Sequence, residues 1–206
     1  MLTWKPELVE LAIRHLSRRD PRLRKIMQAV GPFQMKRQVN RYQALLKAIV
    51  SQQISTAAAR SIWMRIETLA GTSRIQVDHI HSLPDDLLRT AGLSPQKLRY
   101  VRDLTARVHE GELRLAGLHR RTDDEVIDNL TAVKGIGVWT AQMFLMFSLG
   151  RPDVLPHGDL GIQSAMMKIY DLPELPDRHE CHEIAASWRP YATVACWYLW
   201  RSHDLR

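Results

Sequence analysis

The sequence has few cysteines and no long hydrophobic run. Its two cysteines, Cys181 and Cys196, cannot build a disulfide framework or supply the four thiolates of an iron–sulfur cluster. The most apolar stretch, Val138 to Leu149, is broken by polar residues and is too short to span a bilayer. The first ten residues are polar and contain no signal-type apolar core. We therefore expect a soluble, intracellular protein with no membrane association.

Acidic residues are also in deficit. The 206 residues include 29 lysines and arginines against 22 aspartates and glutamates, which gives a formal net charge of +7 at pH 7. Such an excess favours a polyanionic partner and predicts salt-sensitive binding. The charge alone does not identify that partner, because the basic residues that crowd positions 14–41 can equally form a solvated helix face.

Runs of alternating β-branched residues are missing as well. The segment that most resembles such a run, Val77 to Ile80, is too short to predict a strand. Helix starts recur instead at Asp20-Pro21, Ser55, Ser94-Pro95 and the capping box of Thr122 and Glu125, and helix ends recur at Gly31, Gly71 and Gly111. We predict an all-α fold, a single compact unit with two helical lobes that are built from non-contiguous helices and flank a cleft.

A helical hairpin is predicted at about residues 123–149. There a capped helix leads into Gly135-Ile136-Gly137, and an apolar helix follows at once. The two glycines permit a tight turn and a close approach of another surface to the backbone. Unpaired amides at the start of the outgoing helix suit a phosphate oxygen. The turn by itself is equally compatible with a purely structural role.

A carboxylate follows the hairpin. Asp159 comes after Pro156-His157-Gly158 and before a predicted helix from Leu160 to Tyr170. An aspartate at a helix start is commonly only an N-cap, worth about 1 kcal/mol. The helix dipole also favours the anion there, and a fixed anion can stabilise an oxocarbenium-like sugar.

Together, Leu130–Ala141 and Val154–Ile162 resemble the helix-hairpin-helix, Gly/Pro-rich loop and aspartate signature of the DNA glycosylase superfamily that includes endonuclease III. Within that superfamily the chain is most similar to the 3-methyladenine DNA glycosylase II type, because Ile49–Ser55 and Trp188–Tyr191 also agree. The similarity extends from about residue 42 to residue 200, and the chain resembles the compact members of the superfamily. It implies a DNA-binding cleft and Asp159 as the catalytic carboxylate.

The resemblance also implies a reaction type and a base pocket. Lyase-active members carry a lysine two residues past the second hairpin glycine, where this sequence has Trp139, so water rather than an amine is the expected nucleophile. Trp139 and Trp200 match aromatic residues of the base pocket, where electron-rich rings favour a cationic base. Met143 stands where a relative has a further pocket tyrosine. Either tryptophan can instead belong to the core, as we expect of Trp63.

The resemblance implies a set of DNA-contacting residues: Gln53, Ser55, Lys134, Gly135, Gly137, Val138 and His157. Gln53 matches the wedge that fills the gap left by a flipped base. Simpler interpretations remain for several members of the set. Gln53 can be an ordinary polar residue at a helix end, Ser55 an N-cap, and His157 a loop histidine.

The superfamily hairpin also binds a monovalent cation through backbone carbonyls, which by resemblance are those of Thr131, Val133 and Ile136. Carbonyl oxygens suit a hard cation such as Na⁺ or K⁺, which would have a structural role. No cofactor is expected to be required.

The resemblance therefore implies a monofunctional DNA glycosylase of base excision repair that hydrolyses the N-glycosidic bond of alkylated purines in double-stranded DNA. Two alternatives stay open at this point. One is a glycosylase for another damaged base, such as uracil or an oxidised base, and the other is a non-catalytic helix-hairpin-helix module that only binds DNA. We expect a monomer, cytoplasmic and nucleoid-associated in a prokaryote or nuclear in a eukaryote.

Overall fold

The structure is a computed structural model that describes residues 2–205, and the side chains of residues 4–205. Its helices are α1 (Pro6–Arg19), α2 (Pro21–Val30), α3 (Arg41–Ser51), α4 (Thr56–Ala70), α5 (Val77–His81), α6 (Asp85–Thr90), α7 (Pro95–His109), α8 (Asp123–Thr131), α9 (Val138–Phe144), α10 (Leu160–Tyr170), α11 (Arg178–Ala185) and α12 (Ala192–Ser202). Short 3₁₀ helices cover Leu115–Arg120 and Ala186–Trp188, and a π-helical segment, Leu145–Leu149, continues α9. The predicted all-α class is confirmed.

Extended structure is confined, within the described residues, to β1 (Leu2–Thr3) and β2 (Lys36–Arg37). The two strands pair antiparallel, with Leu2 opposite Arg37 and Thr3 opposite Lys36. The described chain divides into two compact units. The first comprises the residues up to Arg37 and those from Leu145 onward, and the second comprises Gln38–Phe144.

The core of the first unit forms where α2 packs against α1 and α12, and where α10 packs against α12. A buried carboxylate joins three of its elements. Asp20 caps α2 by accepting the amide of Leu23 at 2.9 Å, and its other oxygen accepts hydrogen bonds from the Tyr170 hydroxyl and the Trp188 indole. A buried polar group is stable only when it is hydrogen-bonded in this way. Asp20 therefore fixes the start of α2 against the surrounding helices.

The second unit surrounds α3, which contacts α4, α7 and α9. The fully buried side chains of Leu45, Leu46 and Ile49 give α3 an apolar face at helical spacing. A buried hydrogen bond of 2.8 Å between Tyr42 Oη and Thr105 Oγ1 links α3 to α7. Helix α3 thus contacts α9 directly, and α9 packs against α8 to form the hairpin.

Several predicted helix ends are confirmed. Helix α4 begins after Ser55, whose hydroxyl accepts the amide of Ala58, and it ends at Ala70 with Gly71, at φ +66°, as its C-cap. Helix α7 begins as predicted after Ser94 but ends at His109, two residues before Gly111. The segment nearest to a strand pattern is helical, because His79 accepts the Gln76 amide and caps α5.

Arginines of the N-terminal basic segment bind backbone carbonyls. Arg37 donates to the carbonyls of Ser148 and Leu149 at the end of the π-helical segment. Arg22 donates to the carbonyl of Ile169 and pairs with Asp171. Cations at helix C-termini are favourable because the carbonyls there lack intrahelical partners. Part of the positive charge thus stabilises the fold. Among the described residues, no helix is long and apolar enough to cross a membrane.

Candidate active site and nucleic-acid interface

Asp159 lies at the start of α10. Its amide donates to the carbonyl of Pro156 at 2.9 Å, which closes the tight turn that the proline and glycine of the preceding segment permit. Its Oδ1 accepts the amide of Ile162 at 2.9 Å, so the residue is a true N-cap. Asp159 is also half-buried rather than fully solvated. Capping and a further role for this carboxylate are therefore compatible.

A second donor reaches the same carboxylate oxygen. The indole Nε1 of Trp200, on α12, donates to Asp159 Oδ1 at 2.9 Å. The Trp200 ring is stacked on Phe147, with ring centroids 5.9 Å apart and an interplanar angle of 23°. Gly161 leaves room for this contact, because a Cβ there would lie 3.0 Å from Asp159 Oδ1 and 3.2 Å from Trp200 Cδ1. The structure thus joins two predicted site residues through a bond that the sequence did not indicate.

His157 lies two residues before Asp159, in the same turn. It is half-buried, and its ring centroid is 5.4 Å from that of His182. Burial, and then the positive charges of Arg178 and His182, lower the pKa of His157. The imidazole is therefore neutral near pH 7, where it can still donate one N–H to an acceptor.

The hairpin connects α8 to α9. Thr122 and Glu125 cap α8 reciprocally, as the sequence predicted. Gly135 has φ +81°, and a Cβ at this position would lie 2.2 Å from Cδ2 of Tyr100. Gly135 therefore meets both requirements that favour glycine, a left-handed backbone and a close approach by a side chain. Around Gly137, in contrast, a Cβ would meet nothing within 4 Å.

The first residues of α9 are exposed. Val138 is 51% and Trp139 49% exposed, which is unusual for large apolar side chains at a helix start. The turn that precedes them is fastened to α7. Asp103 accepts the Lys134 amide at 2.9 Å and pairs with Arg107 at 3.1 Å, while the Lys134 side chain remains exposed. Trp63 is buried, as predicted, and its indole donates to Glu67.

A cavity of about 830 Å³ in the second unit brings several predicted residues together: Gln53, Gly135, Gly137, Trp139 and Met143 all line it. Gln52, Lys97 and Tyr100, which sequence reasoning did not select, line it as well. Ser55 is not among the lining residues, and Asp159, Trp200 and His157 belong to the first unit. Nothing local in the sequence marks Lys97 or Tyr100, because the contacts of Lys97 with Val50 and of Tyr100 with Gly135 join residues far apart in the chain.

The loop between α3 and α4 carries Gln53. This residue is exposed and has φ +54°, in the left-handed region that residues other than glycine seldom adopt. Two bonds hold the chain just before it. The ammonium of Lys97 donates to the carbonyl of Val50 at 2.6 Å, and Gln52 Nε2 donates to the carbonyl of Gly135 at 2.8 Å. Burial lowers the pKa of Lys97.

Comparison with known proteins identifies the family. Residues 46–190 match the HhH-GPD superfamily base excision DNA repair protein family. The chain belongs to this superfamily. It is 29% identical over 202 residues to "DNA-3-methyladenine glycosylase 1" of Schizosaccharomyces pombe, an alignment that covers 93% of this chain and 86% of the relative.

Two solved structures are similar to this chain over most of its length. A DNA-3-methyladenine glycosidase from Bacillus halodurans superposes with a TM-score of 0.84 at 38% identity, covering 93% of this chain and 88% of that one. The 3-methyladenine DNA glycosylase Mag1 of Schizosaccharomyces pombe, in complex with abasic DNA, also superposes with a TM-score of 0.84, at 29% identity and with 94% and 97% coverage.

Proposed function

We propose that the protein is a monofunctional DNA glycosylase of base excision repair that releases alkylated purines, such as 3-methyladenine and 7-methylguanine, from double-stranded DNA. The observation that carries the proposal is the Asp159 carboxylate, held at the start of α10 by two N–H donors on one oxygen. The names of the relatives in several organisms support the alkylated-base substrate. We further propose that it acts as a monomer, in the compartment that holds the chromosome: the cytoplasm of a prokaryote or the nucleus of a eukaryote.

In the proposed reaction, the bond between C1′ of the deoxyribose and the purine nitrogen breaks, and the base leaves with the bonding electron pair. The sugar becomes oxocarbenium-like, and the anionic Asp159 stabilises the positive charge that develops there. Water then adds to C1′ and loses its proton, which leaves an abasic site. Because an alkylated base such as 3-methyladenine is already cationic, it departs as a neutral molecule, and no general acid is obligatory.

Trp139 is proposed to contact the flipped base. Its exposed ring can face a cationic base, and each such contact contributes about 0.5–2 kcal/mol. Trp139 also occupies the position of the lyase lysine, and an indole cannot form a Schiff base with the sugar. Met143 and Trp200 are proposed as further pocket residues. The additional bond from Trp200 to Asp159 gives it a second role, in orienting the carboxylate.

The remaining assignments concern the DNA backbone and the gap in the duplex. Gln53 is proposed to fill the space that the flipped nucleotide leaves, for which its exposed, left-handed position is suitable. The amides of the hairpin are proposed to bind phosphate without side-chain charge. The assigned residues there are Gly135, Gly137 and Val138, with Lys134, Ser55 and His157 as additional phosphate contacts.

A monovalent cation at the hairpin is also proposed. Thr131 and Val133 lie where α8 ends, and backbone carbonyls at such a position lack intrahelical partners. The Val133 carbonyl accepts the Ile136 amide at 3.1 Å, so this oxygen points into the hairpin turn. Together with the Ile136 carbonyl, those of Thr131 and Val133 would offer neutral oxygens, the ligand type that suits Na⁺ or K⁺. Such an ion would supply positive charge for phosphate binding.

The decisive experiment incubates the protein with duplexes that each carry one defined lesion, and it measures free base and strand scission separately. We expect release of alkylated purines without scission. Release of only uracil or an oxidised base would replace the substrate class, and scission without added alkali would contradict the monofunctional mechanism. Duplex binding without release of any base would make the protein a non-catalytic module.

Asp159→Asn tests the catalytic assignment in the same assay. We expect release to become undetectable while duplex binding is retained, because the amide keeps the shape of the side chain but not its charge. The matched control is Asp171→Asn, at the opposite end of α10, where an exposed aspartate has φ +55°, a conformation that asparagine also tolerates. Near-normal release by Asp159→Asn would remove this residue from catalysis.

A further inference from the structure

Gln52 makes a bond between two segments that are distant in sequence. Its side-chain amide donates to the backbone carbonyl of Gly135 across a distance of 2.8 Å. The acceptor lies in a closely packed part of the turn, because Gly135 has φ +81° and the ring of Tyr100 leaves no room for a Cβ there. The α3–α4 loop is thus attached directly to a closely packed part of the hairpin turn.

The attachment lies immediately before Gln53. Lys97 holds the carbonyl of Val50 at 2.6 Å, so the chain is bonded both two residues before Gln52 and at Gln52 itself. Gln53 then adopts φ +54° and is exposed. A residue other than glycine keeps this backbone conformation only where its surroundings determine it. The two bonds hold the chain directly before this residue.

We propose that Gln52 is a positioning residue that holds the wedge residue Gln53 in place relative to the DNA-binding hairpin. Phosphate binding by the hairpin and filling of the base gap by Gln53 are thereby coupled. The inference rests on the proposed function. Its physical basis is pre-organisation: a loop that is ordered before DNA binds does not lose conformational freedom when it enters the duplex.

The chemistry of the contact defines the test variant. The bond needs a donor, and Gln52→Glu replaces the amide nitrogen by an oxygen of almost the same size, which turns attraction to the Gly135 carbonyl into repulsion. Gln43→Glu is the matched control. Gln43 lies on α3, the helix that leads into the loop with Gln52, and its Nε2 donates to the carbonyl of Ser73 at 3.0 Å, a bond of the same kind away from the hairpin. Gln52→Ala removes the donor without adding charge.

Two measurements separate the proposed role from a general loss of structure. The first is single-turnover base release from a duplex and from a single strand with the same lesion. The wedge matters only where a partner strand leaves a gap. We therefore expect Gln52→Glu and Gln52→Ala to lower the duplex rate about five- to ten-fold, the effect of one lost hydrogen bond, and to leave the single-strand rate unchanged. Gln43→Glu should alter neither rate.

The second measurement does not depend on catalysis. A duplex with a tetrahydrofuran abasic-site analogue and 2-aminopurine opposite it reports insertion of a side chain as a fluorescence change. Wild type should give a large change, and Gln52→Glu, Gln52→Ala and Gln53→Ala should each give a smaller one. Gln52→Ala combined with Gln53→Ala should lose no more than Gln53→Ala alone, because Gln52 acts through Gln53.

The outcomes distinguish this inference from the proposed function. If wild type releases no base, the glycosylase proposal fails, and the fluorescence experiment still decides the role of Gln52. If wild type is active but the Gln52 variants match it on duplex, or lose equal activity on both substrates, the positioning role is overturned. Additive losses in the double variant would overturn it as well.

Discussion

The indole Nε1 of Trp200 and the backbone amide of Ile162 both donate to Oδ1 of Asp159, each at 2.9 Å. One donor comes from the helix that Asp159 caps and the other from α12, which is distant in sequence. Because the two bonds approach from different elements, the carboxylate cannot rotate without breaking at least one of them. The orientation of the proposed catalytic group is therefore a property of the packing between α10 and α12.

Trp200→Phe should slow base release more than it weakens DNA binding. The phenyl ring can keep the stacking on Phe147 but has no N–H for Asp159. A hydrogen bond to a charged group contributes about 1.5–3 kcal/mol, so we expect a single-turnover rate at least about ten-fold lower. Binding to an intact duplex should stay within about two-fold. Trp197→Phe, on the same helix but packed against Phe33, is the control. Equal rates for the two variants would contradict an orienting role.

The two hairpin glycines should respond differently to alanine. Gly135→Ala places a methyl group 2.2 Å from Tyr100 Cδ2 and requires φ +81° of an alanine. Overpacking and the left-handed conformation together should lower the free energy of unfolding by about 2–4 kcal/mol, measured by urea denaturation. Gly137→Ala meets open space and should leave stability within about 0.5 kcal/mol. Equal stability of the two variants would contradict a close contact between Gly135 and Tyr100.

Stability should fall between pH 7.5 and pH 5.5, partly through His157 and His182. Burial, and then neighbouring positive charges, lower the pKa of both side chains: Arg178 and His182 act on His157, while Arg189, Arg178 and His179 act on His182. The unfolded chain, with an ordinary histidine pKa of about 6.5, therefore binds protons first as the pH drops, and this favours unfolding. Above that pKa both histidines are neutral in the folded and the unfolded chain, so they cause no loss of stability.

The variant His157→Gln/His182→Gln tests this pH dependence. Its thermal midpoint should decline less than that of wild type over the same pH range, because glutamine takes up no proton. His119→Gln, which alters an exposed histidine of the second unit, is the control and should follow wild type. Parallel declines in the double variant and wild type would show that other groups cause the effect.

Much of the fold was predictable from local signals. The cap at Ser55, the box at Thr122 and the start of α10 after Asp159 are each set by a few neighbouring residues, and the structure has them where the sequence predicted. The segment from Val77, which is too short to predict a strand, is helical for the same reason, because His79 caps it. Helix ends depend on a few neighbouring residues, and for this reason they can be predicted from the sequence.

The connections within the candidate site were not predictable in this way. The bonds from Gln52 to Gly135, from Lys97 to Val50 and from Trp200 to Asp159 join residues about 40 to 80 positions apart. Resemblance to a family indicated which residues to consider, but not which of them are bonded. Such pairs arise when helices pack, and packing depends on the whole set of buried side chains.

The chain segments that make up the two units imply an order of folding during synthesis. Residues 38–144 form one uninterrupted unit, which has all of its internal contacts available once Phe144 has left the ribosome. The other unit needs α2 and α12 together, and these are separated by that entire insertion. The faces of α1 and α2 that pack against α12 therefore stay exposed until α12 has been synthesised. Aggregation of nascent chains should accordingly begin from α1 and α2, and any chaperone that assists this protein should engage them first.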